Sequence, residues 1–135
     1  MLNAAIVGLG WWGKILTQTL AKSDKITVVK LADVDADGGG GFAAENGIDF
    51  TTDYSAVLAD DAVDAVVLAT PHSLHEEQIV TAAEAGKHIF CEKPFCLNRA
   101  SALRAMEAIE KAGVQVAIGH ERRFEPPIMD ALALA

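Results

Sequence analysis

The 135-residue chain is 51% hydrophobic and 22% charged, the balance of one soluble globular domain able to bury a core without disulfides or metal. Its formal net charge of −8 excludes a global basic surface for nucleic acid or anionic lipid, and its length does not accommodate a two-domain enzyme. No apolar run approaches the ~18 residues that span a bilayer, so no membrane partner is expected.

In chain order, the N-terminus lacks a basic region and reaches Gly8 before an apolar leader could develop. Short, nearly continuous apolar runs follow at 4–7, 26–32, 65–69, 88–91 and 114–118, the pattern of strands covered on both faces. Between them, 12–21, 54–58, 74–85 and 99–112 read as amphipathic helices. In the last, Ala102, Leu103, Ala105, Met106 and Ile109 form the apolar stripe, Asn98 or Ser101 is the cap, and Gly113 is the stop; Gly86 closes the preceding helix likewise. Asp37 and the four glycines 38–41 stand where a second helix should begin. Four glycines cost about 3–4 kcal/mol of helix propensity against alanine, so a short helix starting near Phe42, after a mobile loop, is expected. Pro126-Pro127 and the helix formers after them predict a final helix that breaks off after about two turns. Cys91 and Cys96 are the only cysteines, and their Cys-x4-Cys spacing fits neither zinc nor a redox motif; reduced thiols in a cytoplasmic protein are the expectation.

Strands alternating with helices imply right-handed βαβ units and an α/β, doubly wound, mostly parallel sheet of about six strands with helices on both faces. The loop Gly8-Leu9-Gly10-Trp11-Trp12-Gly13 joins the first strand to the first helix, the G-x-G-x-x-G setting that cradles a dinucleotide. Gly8 permits the turn, Gly10 lets a pyrophosphate approach the backbone, Gly13 lets helix pack on strand, and the helix N-terminus offers free N–H groups. Asp33, twenty residues past Gly13, ends the second run where a carboxylate can accept the ribose hydroxyls. A carboxylate there favours NAD over NADP, since a 2′-phosphate would meet negative charge; NADP stays open. Trp11 and Trp12, the only tryptophans, either pack the helix on the sheet or lie near the coenzyme.

Three later segments are more specific: Ala69-Thr70-Pro71-His72-Ser73-Leu74-His75, Ala85-Gly86-Lys87-His88-Ile89-Phe90-Cys91-Glu92-Lys93-Pro94, and Gly119-His120-Glu121-Arg122-Arg123-Phe124-Glu125-Pro126. From Leu2 to Pro127 the chain resembles the N-terminal NAD(P)-binding Rossmann domain of the glucose–fructose oxidoreductase / inositol dehydrogenase (Gfo/Idh/MocA) family. The resemblance implies that Lys93 is catalytic, touching the substrate hydroxyl and the nicotinamide ribose. Glu92 would orient it and Pro94 would fix the turn, through a cis peptide in many such proteins. It implies that the Thr70-Pro71 backbone runs along the nicotinamide half of the coenzyme and that His75 ends that element; the family commonly has asparagine where this chain has His72. Arg122 and Arg123 match the family's Arg-Phe segment, as substrate contacts or as a salt-bridged loop. His72 and His75 lack a third ligand in register, so no metal is expected.

The family continues into a second α/β domain that covers the nicotinamide, supplies further catalytic residues and builds the oligomer interface. Residues 1–125 then read as the coenzyme domain, and 126–135 as the start of the helix leading to a domain not present here. The implied activity is hydride transfer between nicotinamide and a hydroxyl-bearing carbon of a sugar, cyclitol or related polyol, with this chain alone inactive or very slow. A non-catalytic NAD-binding module, a sensor or one chain of a two-chain assembly, is the alternative; Lys93→Ala would leave such a binder unchanged. Surface around 91–95 and 118–124 is expected to be exposed, partly apolar and prone to self-association.

Overall fold

The computed structural model describes residues 1–134. The apolar runs form parallel strands β1 (Leu2–Val7), β2 (Ile26–Ala32), β4 (Ala65–Leu68), β5 (His88–Glu92) and β6 (Val116–Gly119). A further three-residue strand, β3 (Asp49–Thr51), completes a six-stranded sheet of order β3-β2-β1-β4-β5-β6. Helices α1 (Trp11–Leu20) and α2 (Ala36–Asn46) cover one face, and α3 (Tyr54–Leu58), α4 (His75–Glu84) and α5 (Arg99–Ala112) the other. This is an α/β Rossmann fold. Strand order reverses between β1 and β4, and in such sheets ligands sit beyond the carboxyl ends of the strands at that reversal.

The faces alternate as a twice-covered sheet requires. Ala4, Ile6, Leu31 and Val67 point toward Leu9, Phe42 and Ala43. Ala5, Val7, Val66, Leu68, Ile89 and Cys91 point toward Val57, Ile79, Ala82, Ala83, Ala105 and Ile109. One irregularity interrupts the ladder. Ala4 pairs with Val28 but Ala5 pairs with Lys30, leaving Val29 as an extra residue on β2.

Two expectations about helices are corrected. The glycine run is not a mobile loop but the first half of α2, which begins at Ala36 rather than near Phe42. The Asp35 side chain accepts a hydrogen bond from the Gly38 N–H at 3.1 Å, capping the helix, and the aromatic ring of Phe50 lies against Gly39. Capping and packing thus override poor propensity. In α5 the cap is Asn98, in a reciprocal capping box with Ser101, and Gly113 ends the helix with a left-handed φ of 68°. Its buried face is Ser101, Ala105 and Ile109, whereas Leu103 and Met106 are exposed, so the apolar stripe is narrower and rotated from the expected one. The final helix forms as α6 (Pro126–Ala133) and packs chiefly on the short 3-10 turn Glu121–Phe124 that precedes it. Among the described residues no helix is long and apolar enough to cross a membrane.

Candidate coenzyme and substrate site

The β1–α1 loop is built by close approach. Gly8 has a φ of 93°, and a Cβ there would fall 2.8 Å from the Ala69 backbone. A Cβ on Gly13 would fall 1.8 Å from the Gly8 carbonyl oxygen. Both positions therefore accept only glycine if the loop, the start of α1 and the end of β4 are to meet. Gly10 differs: a Cβ there would meet no protein atom within 4 Å, so the space above its backbone is open to a ligand. Gly10 is the N-cap of α1 and supplies no side-chain cap, leaving the first N–H groups of the helix free to face an anion.

Asp33 sits one residue past β2, and both of its carboxylate oxygens are engaged. One accepts the Leu9 N–H, and the other accepts the Asp35 N–H at 2.8 Å. The acidic residue is thereby locked to the glycine loop itself, with lone pairs still available for hydroxyl donors. Gly8, Gly10 and Asp33 line one cleft of about 480 Å³ with Val34, Thr70 and Pro71. Leu74 also lines it, as do Tyr54 and Gln78, which lie outside the motifs. Their order comes from hydrogen bonds: the Thr70 hydroxyl donates to Gln78 Oε1 at 2.5 Å, and the Tyr54 hydroxyl donates to the Gln78 carbonyl at 2.8 Å. Burial pushes the Tyr54 phenol well above its ordinary range, so this hydroxyl remains a donor. Gln78 lies one turn beyond His75 on α4, so helical spacing from the histidine was the available signal.

The remaining named residues divide into three groups. Leu9 and Gly13 are buried behind the loop, serving it through backbone and packing. Trp11 is 77% exposed at the loop's outer edge, its ring 5.6 Å from that of half-buried Trp12. Trp12 does not line the cleft, and its indole N–H is buried with no acceptor among the described residues. His72 is exposed on the 3-10 turn, 5.6 Å from the His75 ring. No group of three or more potential metal ligands exists among the described residues.

His75, which ends that element, is fully buried, so its side chain is not open to the cleft. Its two ring nitrogens instead bridge two loops, lying 2.9 Å from the Pro94 carbonyl oxygen and 3.1 Å from that of Thr70. Cys91 Sγ is 3.3 Å from the same ring. His75 is thus a strut between the Thr70-Pro71 loop and the Lys93-Pro94 turn, which holds a cis peptide. Glu92 is buried, accepts the Lys93 N–H at 3.3 Å, and packs its carboxylate against Gly119, where a Cβ would have to displace it. Lys93 is exposed and lines a second cleft, about 140 Å³, with His120, Glu121, Arg122 and Arg123. The sheet therefore gathers Lys93, Arg122 and Arg123 beyond the ends of β5 and β6, where Glu92 pairs with Gly119. The surface expected to be exposed at 91–95 is only partly so: Cys91 and Glu92 are buried, while Ile118 and Phe124 are exposed.

Residues 2–120 match the oxidoreductase family with an NAD-binding Rossmann fold, Gfo/Idh/MocA. The chain belongs to that family. It is 42% identical over 90 residues to scyllo-inositol 2-dehydrogenase (NAD(+)) of Bacillus subtilis, covering 66% of this chain and 26% of that protein. It is 32% identical over 125 residues to myo-inositol 2-dehydrogenase of Thermotoga maritima, covering 92% of this chain and 37% of that one. Among solved structures, GenD2 of gentamicin A biosynthesis, in complex with NAD, is 31% identical with a TM-score of 0.93, covering 98% of this chain and 38% of that one. The chain thus spans roughly a third of the length of these relatives. The family is an NAD-binding Rossmann family, and the first cleft fits that coenzyme: a glycine cradle open above Gly10, uncapped helix N–H groups and a fixed carboxylate.

Proposed function

We propose that the chain is the coenzyme domain of an oxidoreductase that acts at a hydroxyl-bearing carbon of a sugar, cyclitol or related polyol. The observation that carries this reading is the juxtaposition of two clefts at the carboxyl ends of the strands: one with the glycine loop and Asp33, the other with Lys93. When bound, the nicotinamide supplies the hydride acceptor or donor. The Gly10–Gly13 turn and its free N–H groups would hold the pyrophosphate, Asp33 would accept ribose hydroxyls, and Thr70-Pro71 would lie along the nicotinamide half. Lys93 would donate to the substrate oxygen, stabilising it as an alcohol or polarising it as a carbonyl, while Glu92 holds the turn on which it stands.

Residues 1–125 act as this domain in our reading, and α6 leads out of it. The exposed apolar side chains of Ile118, Phe124, Ile128 and Leu132 favour self-association or cover by further chain, readable by sedimentation. Two free cysteines fit a reducing, cytoplasmic setting.

The deciding experiment follows tryptophan emission from Trp11 and Trp12 during titration with NADH and NADPH. Saturable quenching by NADH, weaker for NADPH, is expected. Asp33→Ala should weaken NADH by at least about tenfold, through lost hydrogen bonds to a charged group. An unresponsive, folded wild type would overturn the coenzyme reading.

A further inference from the structure

We infer that α5 carries an interface for a second copy of this chain, the two helices packing antiparallel about a two-fold axis. Arg99, Leu103, Met106 and Glu110 are all exposed, with Leu103 and Met106 53% and 48% open to solvent. Their spacing of four, three and four residues places them on one stripe, at about 100° per residue, the seam of two helices packed side by side. The stripe is distinct from the contacts α5 makes within its own chain. Ser101, Ala105 and Ile109 turn to the core, and Arg104 reaches Glu76 of α4 on one flank. The stripe lies on the other flank, apart from Ile118, Phe124, Ile128 and Leu132 near the chain end.

Charge decides both the occupant and its direction. Among the described residues, neither Arg99 nor Glu110 lies within 4 Å of an opposite charge, whereas Lys30 and Arg104 do. In an antiparallel pair, Leu103 meets Met106 of the copy at the centre. At each end Arg99 meets Glu110 of the copy, so one surface supplies its own complement. A parallel pair would set arginine against arginine and glutamate against glutamate. Ala102 flanks the seam opposite Glu107 of the copy, so no like charges meet there and the backbones can approach. Two chains of net charge −8 repel over most of their surface, which leaves this self-complementary stripe favoured. A helix of 14 residues buries less than the ~1,200 Å² of standard stable complexes, so a dissociation constant on the order of 100 μM is expected.

The test follows amide chemical shifts of the chain as its concentration rises from about 20 μM to about 1 mM, with sedimentation of the same samples. Shifts centred on 99–110 and a rise toward dimer mass are expected. Arg99→Glu and Glu110→Arg should each weaken self-association about tenfold, because two ion pairs become two like-charge contacts. Both substitutions suit the helix dipole, acid near the N-terminus and base near the C-terminus, so a weakened α5 would not explain the loss. The two variants mixed in equal amounts should associate as the wild type does, and so should the double variant Arg99→Glu with Glu110→Arg alone. No concentration dependence, shifts confined to 118–134, or single variants that associate like the wild type would overturn the inference.

Discussion

The glycine-rich half of α2 offers two identical substitutions that should act in opposite directions. Gly41 faces open space, with no atom within 4 Å of the place a methyl group would take, so Gly41→Ala changes only the backbone preference. That change stabilises by about 0.8–1 kcal/mol, raising the melting temperature by about 4 °C for a domain of this size. At Gly39 the same Cβ would lie 2.7 Å from Phe50 Cε2 and 3.2 Å from Asp33 Cβ. The propensity gain is the same there, but the overpacking penalty is about 1–3 kcal/mol, so Gly39→Ala should be the less stable of the two by that margin. It should also weaken NADH, because Asp33, the next neighbour after Phe50, must give by a few tenths of an ångström. Urea unfolding of both variants, followed by tryptophan emission, measures the gap, and NADH titration measures the second effect. Equal stabilisation by the two substitutions would refute the packing argument and return the segment to a solvated loop.

His75→Leu should lower stability by about 2–4 kcal/mol and weaken NADH, since it strips two loop carbonyls of their ring partner; unfolding and NADH titration read both. Under native conditions iodoacetamide should alkylate Cys96 well before Cys91, as peptide mapping would show: burial pushes the Cys91 thiol up to about 12, and Cys96 is the more accessible. Lys30 bridges Asp49 at 3.1 Å and Asp60 at 2.5 Å, its hydrogen bond to Asp60 raising its own pKa above 10.5 and lowering that of Asp60 below 3.8. The stabilisation is therefore present between those values. It is lost as pH falls through the depressed Asp60 value or rises through the elevated Lys30 value, and Lys30→Met should match wild type at both extremes in pH-dependent unfolding.

Much of this fold was legible because its signals are local. Buried parallel strands announce themselves as β-branched runs, and the glycine loop and Asp33 sit at a spacing that the chain itself displays. The differences arise where a distant partner decides the outcome. The helix through 38–41 depends on the Asp35 cap and on Phe50, a residue of a strand too short to carry a pattern. Leu103 and Met106 satisfy helical spacing, but α4 packs on the adjacent stripe of small residues, and nothing among the described residues covers the rest of α5. His75 stands beside cleft residues in sequence, whereas the packing of α4 on β5 turns its ring inward.

The extra residue Val29 bears on how the coenzyme site is counted along the chain. Ile26 and Val28 face α1; beyond Val29 the phase inverts, so that Leu31 rather than residues 30 and 32 shares their side. Asp33, two residues past Leu31, then points at the Leu9 N–H; with an uninterrupted ladder it would point at the opposite layer. The separation between glycine loop and acidic residue is thus a matter of odd and even as much as of reach. A chain one residue shorter in β2 could keep every motif letter and still aim its carboxylate at the wrong side of the sheet.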